Sequence, residues 1–91
     1  MKYLLLGFGG LDALEARLGP ELLAGEVLAD VDTATTVRVR DGRVAVTDGP
    51  VTGEPLGSFL LVDVDDLDAA IEVARCWPAA RHGSVEVRPV S

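Results

Sequence analysis

The chain has 91 residues, 48% of them hydrophobic and 25% charged, which is enough for one modest core and too little for a two-lobed enzyme. Fifteen acids against eight basic residues give a net charge of −7, so most of the surface would repel a phosphate backbone and nucleic-acid binding is not expected. One cysteine (Cys76) and one histidine (His82) exclude an internal disulfide and a cysteine-cluster zinc site.

Lys2 to Phe8 reads as a strand, apolar on both faces: Leu4, Leu6 and Phe8 on one, Tyr3 and Leu5 on the other. The run is too short for a membrane span and lacks the form of a signal peptide, so a cytoplasmic protein without membrane contact is expected. Gly7, Gly9 and Gly10 lead into a loop. The strand–glycine–helix order resembles a phosphate loop, but a dinucleotide fingerprint would put its third glycine at Asp12, so no nucleotide cofactor is expected. Leu11, Leu14 and Leu18 then fall on one side of a short helix that Gly19-Pro20 stops. Pro20 to Leu23 could start a further helical turn, and Glu26 to Asp32 reads as a short strand or an extended loop.

Thr35–Arg40 and Arg43–Thr47 flank Asp41-Gly42, the two-residue signature of a hairpin with a type I′ turn. Val37 then faces Val46 and Val39 faces Val44 on the expected buried side. Thr36 faces Thr47 and Arg38 faces Ala45 on the other. Asp48-Gly49-Pro50 ends the second strand, and a loop runs through Pro55. Ser58–Val64 is again apolar on both faces, with Leu60, Val62 and Val64 against Phe59 and Leu61. Asp65 can cap a helix whose apolar stripe is Leu67, Ala70, Ile71 and Ala74, with Arg75 in its last turn and Pro78 at its end. Trp77 reads as a core or interface anchor and Cys76 as a small buried residue. Ser84–Arg88 is a last strand with Val85 and Val87 inward.

This order fits an α+β fold of ferredoxin-like type: an antiparallel sheet with two helices on one face and the hairpin as extra strand material. Two strands are apolar on both faces, and no element remains to cover the second face. A homodimer packed sheet against sheet follows.

Few residues could carry chemistry. The carboxylate of Asp48, in the Asp48-Gly49-Pro50 turn, could point into a cleft; the ordinary alternative is a turn in which it bonds its own backbone. His82, in the loop before the last strand, could act as a general base or acid if a carboxylate oriented it. Arg38 could hold an anionic ligand. No metal site is expected from a single histidine without converging carboxylates.

Several segments together resemble the YCII-related proteins of the DGPF type. They are Thr35-Thr36-Val37-Arg38, Asp41-Gly42, Val46-Thr47-Asp48-Gly49-Pro50, Leu56-Gly57-Ser58-Phe59 into Val62-Asp63-Val64, Asp66-Leu67-Asp68-Ala69-Ala70, Pro78-Ala79-Ala80-Arg81, and Gly83-Ser84-Val85-Glu86-Val87-Arg88-Pro89-Val90. The opening Met1-Lys2-Tyr3-Leu4-Leu5-Leu6 agrees as well. The resemblance implies a dimeric α+β barrel of ferredoxin-like subunits. It implies a cleft near the dimer interface, where a carboxylate and a histidine act as an acid–base pair in some members, and for some relatives a regulatory context beside a sigma factor. It also marks Gly49, Pro50 and Glu54, the last at an acidic loop position, as ligand-binding candidates. The sequence departs from the pattern in three places. Val51 stands where the motif has phenylalanine, the loop from Val51 to Pro55 is shortened, and so is the region from Gly9 to Ala34. His82 falls where relatives carry varied residues.

The leading expectation is therefore a cytoplasmic homodimeric domain that binds a small molecule or a protein partner. The alternatives are a small hydrolase or lyase using Asp48 and His82, and a dimer with a purely structural task.

Overall fold

The computed structural model describes residues 1–8, 20–51, 53, 55–77 and 79–91. Among these residues six strands and two helices follow one another: β1 (Lys2–Phe8), β2 (Leu22–Val27), β3 (Thr35–Arg40), β4 (Arg43–Asp48), β5 (Leu56–Asp63), α1 (Leu67–Cys76), α2 (Ala79–His82) and β6 (Ser84–Pro89). A 3₁₀ turn at Val31–Thr33 sits in the connection before β3. The architecture is α+β. Four strands form one sheet in the order β2-β5-β1-β6, and β3 pairs only with β4. Every pairing is antiparallel.

The two faces of β1 separate as the alternation requires. Tyr3 and Leu5 pair with Val62 and Leu60, and all four are buried beneath the helices. Ala70, Ala74, Trp77 and Ala79 close this core, with Val73, Val85 and Val87 packed at its edge. Leu4, Leu6, Phe8, Phe59 and Leu61 occupy the opposite face and are half-buried.

Helix α1 starts one residue later than Asp65 would set it. Asp66 is the N-cap, and its carboxylate accepts from the Ala69 amide at 2.9 Å. The helix's buried stripe is Ala70, Val73, Ala74 and Trp77; Leu67 and Ile71, expected on it, are both about half exposed. Cys76 is exposed, one position off the buried stripe, and not buried as its type suggested. Trp77 takes an extended backbone, as the residue before a proline must. The expected helix over Leu11–Leu18, the Gly9-Gly10 loop and Pro78 lie outside the described residues. Among the described residues the helix beside α1 is α2, a single turn.

Two further corrections concern strands. Leu22–Val27 is a strand, where a helical turn followed by an ambiguous stretch was expected. It pairs on one side only, with β5, and an edge strand with Gly25 in its middle shows little alternation. The hairpin register is as expected, Val37 opposite Val46 and Val39 opposite Val44. Asp41 and Gly42 both have positive φ, at 53° and 75°, as a type I′ turn demands. Its valine face, however, is not buried: all four valines are more than half exposed.

Candidate functional site

The Asp48-Gly49-Pro50 turn is built by two hydrogen bonds on one residue. Gly49 takes a φ of 100°, which an L side chain would resist. Its amide donates to the Ala34 carbonyl at 2.8 Å, and its own carbonyl accepts from the Thr36 hydroxyl at 2.7 Å. Thr36 is the one buried residue of the hairpin strands. The pair of bonds fixes the direction in which Pro50 and Val51 leave β4.

Pro50 and Val51 form one wall of a groove of about 560 Å³. Phe8 and Leu56, cross-strand partners at one end of the main sheet, form a second wall. The third is the connection from Leu28 through Ala34. That connection is held in turn: the Leu28 amide donates to the Gly57 carbonyl at 2.8 Å, and the amide and hydroxyl of Thr33 both donate to the Asp30 carbonyl. Aliphatic and aromatic side chains dominate the lining, with Thr33 as the hydroxyl and Asp30 as the one titratable group among the described lining residues. A volume of this size lies within the range of sites for small organic ligands, about 300–1,000 Å³.

The sequence candidates divide around this groove. Pro50 lines it, and Gly49 aims it. Asp48 ends β4 opposite Thr35 and is exposed. His82 ends α2, exposed, two residues before Ser84, whose cross-strand partner is the groove residue Phe8. Both therefore stand at the groove's end of the molecule, and neither is among its lining residues. Arg38 is exposed in mid-strand, opposite Ala45 and beyond Thr36 from the groove. Glu54 lies outside the described residues. Among the described residues no three or more His, Cys, Asp or Glu side chains gather as a metal ion would require.

Sequence reasoning missed the Leu28–Ala34 wall and the anchoring role of Thr36. The wall carries no periodic signal. The hydroxyl at Thr36 beside a glycine–proline turn was the available clue.

The YCII-related domain model matches residues 1–91. The chain belongs to the YCII-related family. The match spans all three walls of the groove in this YCII-related domain: the segment leaving the Asp48-Gly49-Pro50 turn, the Phe8–Leu56 end of the sheet and the Leu28–Ala34 connection. No curated protein matches the chain. No helix among the described residues is long and apolar enough to cross a membrane.

Proposed function

We propose that this YCII-related chain is a binding domain whose groove takes a small, largely apolar molecule. The observation that carries this reading is the lining itself: nearly continuous apolar walls, held at their turns by hydrogen bonds to the backbone, with one carboxylate among the described lining residues. Acid–base turnover requires titratable groups within reach of the reacting atoms. Among the described lining residues Asp30 alone could serve, which favours binding over catalysis. Its charge, in a chain of net −7, favours a neutral or cationic guest over an anionic one.

The subunit is ferredoxin-like and works as a homodimer in the cytoplasm. The strand order β2-β5-β1-β6 supports the first part. The apolar face of β1 and β5, turned away from the helices, supports the second, since a second copy would remove it from water. In a regulatory setting beside a sigma factor, the groove's occupant would be a signal and not a substrate.

Amide shift mapping against a panel of small uncharged and cationic aromatic compounds tests the reading. Saturable shifts are expected at Leu28–Ala34, Val51 and Leu56, and they should vanish in Ala29→Trp, which fills the groove from an exposed position. Shifts centred on Asp48 and His82, with the groove silent, would overturn it.

A further inference from the structure

The hairpin has little reason to be stable alone. Its strands bond only to each other, and a solitary two-stranded ribbon is marginal in water. Val37, Val39, Val44 and Val46 stand together on one face at 60, 56, 67 and 62% exposure. Arg38, Arg40 and Arg43 stand on the other, as the register dictates. Such a division belongs to a ribbon packed on one side and solvated on the other. The described residues of the same chain leave the valine side open.

We infer that the hairpin is an arm that lays its valine face on a second copy of this chain, across the open face of the partner's main sheet. Three observations name that occupant. The receiving surface exists on the same chain, as the apolar stripe of Leu4, Leu6, Phe59 and Leu61. Charge is complementary: residues 35–48 hold three of the eight basic residues and two of the fifteen acids, so the remaining body has thirteen acids against five bases. One of those acids flanks the stripe without a partner among the described residues: Glu26, exposed and opposite Phe59, where an arginine of a seated arm could reach it around the edge. Glu86, opposite Leu6, is already paired with Arg88 at 2.9 Å.

Area is the third. The chain extends 43 × 28 × 18 Å with a radius of gyration of 14.8 Å, against about 12 Å for a compact domain of this length. At their exposures the four valines offer on the order of 250 Å² of apolar surface. In a two-fold exchange each copy gives one arm and receives one, so the arms and the stripes they cover supply more than half of the roughly 800 Å² per partner of a stable interface.

The inference rests on the homodimer reading above and adds which element crosses. Sedimentation of the full chain over a concentration series, with the wild type and Val39→Thr/Val44→Thr, separates the two. Threonine keeps the β-branched shape, so the hairpin can still form. The wild type is expected to dimerise and the variant to weaken the dimer roughly a hundredfold. A wild type that stays monomeric throughout would overturn both readings. A dimer of unchanged affinity in the variant would overturn the arm alone. A second measurement does not depend on that variant: a spin label on Val46→Cys in a Cys76→Ser background, mixed with isotope-labelled chain free of the label. Broadening is expected in the partner's β1 and β5 amides. A dimer without it would count against the arm.

Discussion

The indole of Trp77 lies so close over Gly7 that a β-carbon on Gly7 would come within 2.9 Å of its Cη2 atom. The same β-carbon would stand 2.8 Å from the Ser58 hydroxyl, on the neighbouring strand. Gly7 is thus required by close approach and not by its backbone angle. The strand gives up a side chain so that the tryptophan ending α1 can seat on the sheet. Gly7→Ala should destabilise the domain by about 1–3 kcal/mol, since the indole is buried and has nowhere to retreat. Urea denaturation followed through Trp77 fluorescence, the chain's one tryptophan, measures it.

Ser58 offers a contrasting outcome. Its hydroxyl is fully buried and has no hydrogen-bond partner among the described residues. An unpaired buried hydroxyl costs desolvation without return. Ser58→Ala should leave stability unchanged or raise it by up to about 1 kcal/mol. It also removes one of the two obstacles at Gly7. The double variant Gly7→Ala/Ser58→Ala should therefore be less destabilised than the single changes added together. Strict additivity in the double-mutant cycle would show that Trp77 alone forbids the side chain.

How far the sequence reached can be judged from particular elements. The bounds of β1 and the register of the hairpin were legible because alternation and an Asp-Gly turn are local signals. The burial of the valine face was not. Alternation says which residues share a face, and only tertiary or quaternary structure decides whether that face is covered. Asp65 and Asp66 are chemically equal candidates for one cap, and pattern alone could not choose between them. Of the site, the Asp48-Gly49-Pro50 turn was visible, while the wall from Leu28 to Ala34 was not. A connection held by its own backbone leaves no periodic trace in its side chains.

The cap can be decided by two substitutions. Asp66→Ala removes the acceptor for the Ala69 amide and should cost about 1 kcal/mol. Asp65→Ala touches an exposed residue outside the helix and should cost no more than about 0.5 kcal/mol. Thermal melts of the two variants side by side give the comparison, and equal losses would show that the cap is shared.

The groove's wall depends on a side chain that does not line it. Thr36, buried at the base of the arginine face of β3, reaches Gly49, and Pro50 and Val51 follow from where that carbonyl is held. Thr36→Val keeps the shape and removes the donor, leaving a half-buried carbonyl unpaired at a cost of about 1–2 kcal/mol. Freed from its anchor, the turn should sample more orientations, and a ligand of the groove must then pay to order it. Affinity should fall by about tenfold. Thr36→Ser restores the donor and should restore most of the affinity, even though it loses a methyl group from the strand. That rescue separates the hydrogen bond from packing: if valine binds as well as threonine while serine is impaired, Thr36 acts through its methyl and the turn needs no anchor.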